Sequence, residues 1–436
     1  LRIRSAASAE FNRRLQTAWQ AVSEQPLELI AMSDEDWQLL RNNSTNGLPA
    51  DRTSQTDSKK PAGLDKQTDL FLFTNQQMGI LQQAQALAPL PDKLWESSQE
   101  KHGKLLTALA NDTSRWGSER FALPLGTSVP ALWARDDTAV RACDTWDQYQ
   151  EALDELGPGK GAEPLAEGWA AMTFLYRAAT MAGGTWLFDR QTMQPVITAA
   201  PYQRALEQLV RARKSYSDEL LTPAEILTQL QAGNLSLAVT WPTPIPPSHS
   251  DTGQLAIQPL PQSSQVFVED WQDGTGFPSL PMVSDQGLVI ALSRGCRQSG
   301  IARNFLNWLV SQEGWLALSY IFGEVFPIRN ATDSQATPSS NTTAASSQGS
   351  LASARGYNAY VERVLGKPQV RPTLRIPGAE QYMQVLDVQV RAAIAGERTP
   401  ADALQLVHQG WEQITEQLGR KAQANSWRLA QGMRER

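Results

Sequence analysis

Cysteine and histidine are scarce in this chain, with two and three respectively among 436 residues. Cys143 and Cys296 alone cannot form a dense disulfide framework, so stability has to come from buried cores. One long-range disulfide and two separately buried thiols both fit. The second is the simpler expectation, because a free thiol packs as a small apolar group. His102, His249 and His408 are far apart and none stands in a HExxH-like spacing, so neither a zinc site nor another cofactor is expected. No apolar run approaches the ~18 residues of a membrane span. Long Lys/Arg blocks are missing too, and with a formal net charge of -6 this argues against nucleic acid or an anionic membrane as the main partner. A small neutral ligand fits better.

Catalytic signatures are equally sparse. There is no Gly-x-Ser-x-Gly elbow, and neither cysteine has an activating sequence context. The Gly157–Gly161 segment (GPGKG) lacks P-loop spacing and reads as a turn, as does the Gly-rich Asp273–Gly276. The acid pairs Asp34/Asp36 and Glu269/Asp270 have the chemistry of a glycosidase acid and base, yet adjacent acids usually cap helices or face water, so no enzyme is expected. The chain starts at Leu1 with neither Met nor a hydrophobic leader. An upstream secretory signal, lipoprotein signal or membrane anchor is therefore expected to have been removed, placing the protein outside the cytoplasm, periplasmic or lipid-anchored.

What is present is enough apolar sequence, 41% hydrophobic residues with 19% charged, to bury a sizeable core in two or more domains. The opening reads as strand Leu1–Ala6, helix Phe11–Ser23 and strand Leu27–Ala31, with Ser33–Asp36 capping the next helix. Residues 41–67 are polar and read as a surface insertion. Strand Asp69–Thr74, whose LFLF run suits burial on both faces, precedes a helix near Gln77–Ala86 and leaves Asn75 and Gln76 at the sheet edge. Phe121–Trp133 contains two short apolar runs broken by Pro124, Gly126 and Pro130, the pattern of a crossing between lobes. Trp169–Ala182 is helical and stops at Gly183-Gly184. Tyr202–Tyr216 is an amphipathic helix, and ILTQLQAGNLSLAVTWP places Trp241 at the C-terminal end of a strand, where open α/β sheets bind ligands. Gly287–Leu292 reads as a buried strand, Ile301–Val310 as an amphipathic helix, residues 331–354 as a Ser/Thr-rich linker, and everything beyond Gly378 as helical. No repeat is present, and the alternation favours an α/β architecture.

Several of these patterns, in order, resemble the extracellular solute-binding proteins of ABC importers, the family 1 group similar to maltodextrin-binding proteins. They are Phe121–Ser128 with Leu132-Trp133, Thr145-Trp146-Asp147, Ala182-Gly183-Gly184 with Leu187–Asp189, and Gln231-Ala232-Gly233 leading to Thr240-Trp241-Pro242. The later half adds Asn304–Leu309 with Ser311–Glu313, Phe326–Arg329, Ile376–Tyr382, and Ala395–Leu404 with Trp411. The resemblance implies a two-lobed, type II-like periplasmic binding fold, each lobe a mixed sheet flanked by helices, with ligand in the cleft between them. On that basis residues 1–126 and 281–330 form one lobe, 127–280 and 355–436 the other, and hinge closure presents the loaded monomer to the permease transmembrane subunits. The polar stretches 41–67 and 331–354 are longer than the family pattern, and no Trp or acidic residue stands straight after the first strand, Ser5–Glu10 holding only small residues and one carboxylate.

Saccharide recognition needs flat apolar faces for the ring and hydrogen-bonding groups around its edge. Of the 14 tryptophans, Trp241 matches the family's stacking aromatic, with Trp186, Trp271 and Trp37 as further element-end candidates. Trp19, Trp308 and Trp411 sit on helical faces and read as core. The polar candidates are Asn75, Gln76, Thr127, Ser128, Arg329 and Glu10. Tyr382 is an aromatic candidate with an equally good core reading. A polyol, a sugar acid or a phosphodiester is an alternative ligand, and a periplasmic sensor module an alternative role.

Overall fold

The computed structural model describes residues 1–45, 68–96, 104–135, 143–243, 255–267, 282, 287–311, 313–314, 348–367 and 370–433. Two mixed sheets organise them. The first contains β1 (Arg2–Ser5), β2 (Glu28–Ala31), β3 (Leu70–Thr74), β4 (Leu87–Ala88), β7 (Ala122–Pro124) and β12 (Leu288–Ser293), in the order β2-β1-β3-β12-β4 with β7 also on β12. The first three strands are parallel, and β12 runs antiparallel to its neighbours, pairing Ile290 with Leu72 and with Leu123. A hairpin, β5 (Arg115–Trp116) with β6 (Glu119–Arg120), lies beside it. The second sheet has the order β11 (Ala256–Gln258), β8 (Ala131–Ala134), β10 (Leu237–Thr240), β9 (Gly161–Ala162).

Side-chain alternation decides which face each strand gives to which core. In β3, Leu70 and Leu72 enter one apolar cluster with Ile3, Leu15 and Phe305, while Phe71 and Phe73 enter another with Leu40, Met78 and Leu81. The LFLF run is thus buried on both faces, as expected of a central strand. The same split recurs in β10, where Leu237 and Val239 face the large second-sheet core and Ala238 faces the opposite side.

Helices cover both sheets. α1 (Ala9–Gln20) is capped by Ser8, whose hydroxyl accepts from the Phe11 N–H, and buries Phe11, Leu15 and Trp19. α2 (Asp34–Thr45) and α3 (Met78–Gln83) pack together over the other face. On the second sheet lie α4 (Trp146–Leu156), α5 (Ala170–Ala179), α6 (Ala200–Arg213) and α7 (Pro223–Ala232). Every residue of α5 is buried, which its small, Ala-rich composition permits between the sheet and its helical neighbours. α8 (Ser299–Leu309) closes the first sheet, α9 (Gln348–Leu365) packs along β11, and α10 (Ala379–Ile394) and α11 (Pro400–Leu418) form an antiparallel pair against α5 and α6, followed by α12 (Arg420–Ala430).

Three boundaries depart from the sequence reading. Residues 41–45, assigned to the polar insertion, complete α2, because burial of Leu40 holds a helix whose polar face resembles a loop in composition; residues 46–67 lie outside the described part. Residues 348–354 of the expected linker belong to α9, with 331–347 outside. The helix expected over Gln77–Ala86 is a 3₁₀ turn, Asn75–Gln77, followed by the short α3, and Gln85 at φ +54° ends it. Cys143 is buried, Cys296 is half-buried, and the two are not joined in a disulfide. Trp19, Trp308 and Trp411 are core residues, at 4%, 8% and 0% exposure.

Candidate ligand-binding site

Strand β3 delivers Asn75 to the C-terminal rim of the first sheet. Its backbone N–H donates to the Gly287 carbonyl at 2.9 Å, just before β12 begins, and on the far side of β12 the Leu125 N–H donates to Leu288 O at 2.9 Å. Gly287 is therefore flanked by Asn75 on one side and by the segment after β7 on the other. A Cβ at Gly287 would stand 3.2 Å from Gly126 O and 3.3 Å from Thr127 Oγ1, so the absence of a side chain there lets Thr127 close in. Asn75 is 0% exposed and Thr127 4%, yet Asn75 Nδ2, Asn75 Oδ1 and Thr127 Oγ1 have no hydrogen-bond partner among the described residues. Buried polar groups are nearly always paired, and three orphaned atoms at one sheet rim form a coherent set of donors and acceptors.

From Thr127 the chain crosses to the second sheet in four residues. The crossing is held by α9: the Val129 N–H donates to Tyr357 Oη and that hydroxyl donates to Val129 O, while Tyr360 Oη donates to Pro130 O. β8 starts at Ala131, which pairs with Thr240, so Trp241 lies next to the end of the crossing. The Trp133 indole donates to Thr240 O at 3.0 Å and fixes that end of β10. Trp241 is 4% exposed, with its ring 5.3 Å from Trp169 and 5.3 Å, edge-on, from Tyr176.

Trp169 is half-buried and sits at the N-terminal end of α5. Asp387 from α10 accepts from the Gly168 and Ala171 N–H groups at 3.2 and 3.1 Å, and Gly168 takes a left-handed φ of +83°. These features set where the Trp169 ring projects. Neither Trp169 nor Tyr176 stands out in the sequence, since both fall on a helical period that reads as core; the Gly168-Trp169 step at a helix start is the only local signal for the first.

Of the remaining candidates, Ser128 and Gln76 are half-buried beside Thr127 and Asn75. Trp186 is 5% exposed at the opposite end of α5, its indole donating to Pro372 O at 2.9 Å and its ring covered by Tyr202 and the Arg371 guanidinium. Tyr382 is fully buried, its hydroxyl 2.8 Å from Thr415 Oγ1 and its phenol pushed up to about 12 by burial. Trp37 is half-buried against the core that contains Phe71 and Phe73. Glu10 is exposed on the first turn of α1, where Arg14 and Arg13 bind its carboxylate and lower its pKa. Trp271 and Arg329 lie outside the described residues. Asp36 is occupied by Arg4 and by the Ser33 N–H, and Glu269/Asp270 also lie outside. Among the described residues no group of three His, Cys, Asp or Glu could hold a metal, and no helix is long and apolar enough to cross a membrane.

Asn75 and Thr127 offer an amide and a hydroxyl at one sheet rim, and Trp241 with Trp169 an aromatic pair beyond the crossing that starts there, which is recognition chemistry. No curated protein matches the chain by sequence. Solved structures do match its fold. An ABC transporter solute-binding protein from Agrobacterium vitis S4 with bound D-mannitol is 16% identical, with a TM-score of 0.65 over 96% of this chain and 99% of the other. Maltose-bound MalE3 of T. maritima is 17% identical, with a TM-score of 0.65 over 95% and 99%. A solute-binding protein from Agrobacterium radiobacter K84 with ribitol is 15% identical, with a TM-score of 0.67 over 95% and 98%. The two-lobed, type II-like solute-binding fold is thereby established, and with residues 7–314 matching the model of the bacterial extracellular solute-binding protein, the chain belongs to that family.

Proposed function

We propose that this protein is the exported substrate-binding component of an ABC importer, holding a saccharide or polyol between two lobes and handing it to a permease without covalent chemistry. The observation that carries this reading is the set of orphaned polar atoms on Asn75 and Thr127 beside the crossing that leads to Trp241 and Trp169. Vicinal hydroxyls need groups that both donate and accept, and a ring or extended polyol offers C–H faces to indole. The two sheets support lobes built from residues 1–126 with 281–330 and from 127–280 with 355–436. Trp241 would be the central aromatic, Trp169 its more accessible neighbour, and Trp271 and Arg329 remain candidates from the second half. Maltose, D-mannitol and ribitol, the ligands of the structural relatives, are the first compounds to try. We place the working protein in the periplasm or on the outer face of the membrane, as a monomer.

A thermal-shift screen of saccharides, polyols and sugar acids tests the reading. A ligand at a hundred times its Kd stabilises the folded state by about 2.7 kcal/mol, so one class should raise Tm in a concentration-dependent way. Trp241→Ala should weaken that ligand tenfold or more, about 1.4 kcal/mol. No shift from any compound on ligand-stripped, folded protein would count against a sugar or polyol, and unchanged affinity in Trp241→Ala would remove Trp241 from the site.

A further inference from the structure

A cavity of about 680 Å³ lies at the opposite end of α5 from Trp169. Its walls come from four separate stretches of chain: Asn111 and Asp112, the segment Gly183–Gln191 after α5, Val370–Pro372, and Gln431. The first stretch precedes β7 of the first sheet, since Ser114 O accepts from the Phe121 and Ala122 N–H groups at 2.9 and 3.2 Å. Asn75 and Thr127 lie beyond the other end of β7. The ten residues of α5 rise ~15 Å, so this cavity and the Trp241 site are separate places on the same two halves of the molecule.

Its chemistry is also that of a recognition site. Asp112 Oδ2 is sealed beneath the wall, with the Arg375 charge nearby and no hydrogen-bond partner among the described residues. Much of the rest is pre-organised: Arg371 donates to the carbonyls of Gly184 and Ala182 while lying over the Trp186 ring, and Trp186 donates to Pro372 O. Arg375 ties the same neighbourhood together by donating to Thr113 O and Ala430 O. Asn111, Thr185 and Gln191 are exposed along the wall and bring amide and hydroxyl groups. The volume falls in the range of small-molecule sites, ~300–1,000 Å³. Asp112 and Asp189 balance Arg190 and Arg371 around it, which disfavours a strongly charged occupant and suits a neutral, donor-rich one.

We propose that this cavity is a second ligand site, taking a small neutral polyhydroxylated molecule held by the exposed polar side chains of Asn111, Thr185 and Gln191 beside the Trp186–Arg371 wall. Its walls come from the first-sheet half, at Asn111 and Asp112, and from the second, at Gly183–Gln191, so its occupancy depends on how the halves are set. By linkage, an occupant that prefers one setting changes affinity at the Trp241 site by the same factor as the reverse effect. The inference stands apart from the identity of the ligand at Trp241.

The test is a ligand-observed NMR titration of the full chain with D-mannitol, ribitol and maltose, one at a time. Wild-type protein, Trp241→Ala, and the cavity-filling variants Thr185→Trp and Gln191→Trp are compared, with folding checked by circular dichroism. The two filling variants start from exposed positions, so at least one is expected to fold. A saturable binding event that survives Trp241→Ala and weakens at least tenfold in a filling variant supports the second site. If the wild type binds a probe and Trp241→Ala abolishes all binding, or if both filling variants leave the surviving event unchanged, the second site is overturned while the importer reading stands. A surviving event in a protein whose Trp241 site takes no sugar or polyol would retain the second site and count against the importer reading. Absence of any binding in folded wild type would remove both.

Discussion

Burying an amide without partners costs roughly 1–3 kcal/mol in proteins, and Asn75 is buried with both amide atoms unpaired. Thr127 Oγ1 is in the same condition on the other side of Gly287. A core position under selection for stability alone would be better served by Leu or Val. This gives the two residues opposite expected effects on stability and binding. Asn75→Leu and Thr127→Val should leave Tm unchanged or higher by calorimetry, because each removes an unsatisfied polar group while roughly keeping its volume. Both should weaken ligand binding tenfold or more by titration calorimetry. A fall in Tm with unchanged affinity would make them structural residues instead.

At the scale of elements, the position of Asn75 depends on a glycine that composition does not reveal. Gly79 lies in α3, and a Cβ there would meet Arg375 O at 2.5 Å and Ile376 Cα at 2.7 Å, both backbone atoms that cannot swing away. Gly79→Ala should destabilise by about 1–3 kcal/mol, as overpacking does, and should lower affinity because α3 continues directly from the turn that carries Asn75. Gly300→Ala, in the first turn of α8 with nothing among the described residues within 4 Å of its Cβ, should be neutral or stabilising by up to ~1 kcal/mol. Equal losses from both substitutions, measured by denaturant titration, would contradict this account. The strands and capped helices around these positions are legible because each carries a local signal: the two-sided LFLF of β3, or the Thr222–Glu225 capping box and the left-handed Gly233 that bracket α7. The α/β class follows from their alternation, and the two lobes from the family resemblance. Residues 41–45 and 348–354 escape such a reading because helices held by tertiary packing can be polar enough to look like linkers. Asn75, Thr127 and Trp241 can be named from their places at strand ends, whereas the Trp169–Tyr176–Trp241 cluster cannot, since it depends on how α5 packs across β10.

On the scale of the whole molecule, the buried tyrosines make the native state vulnerable to alkali. Burial raises the pKa of Tyr149, Tyr202, Tyr216, Tyr360 and Tyr382, the last two to about 12, and the nearby Glu163 carboxylate raises Tyr149 and Tyr216 further. Burial also lifts the Cys143 thiol to about 11. These groups lie across the cores that join both sheets to their helices. In the unfolded chain a phenol ionises near pH 10, and in the native state it holds its proton to higher pH. Between those values the unfolded state binds fewer protons, so stability must fall as pH rises. The contribution is intact below about pH 9 and is lost progressively toward pH 12. Each tenfold difference in proton affinity between the folded and unfolded chain amounts to about 1.4 kcal/mol, so several such groups together rival the ~5–15 kcal/mol that keeps a typical domain folded. Tm should therefore be flat with pH up to about 9 and then drop steeply, and tyrosinate absorbance should appear together with loss of near-ultraviolet circular dichroism. Smooth ionisation of all eight tyrosines near pH 10 in a protein that stays folded would contradict the packing of these rings, and with it the core that holds Trp241 in place.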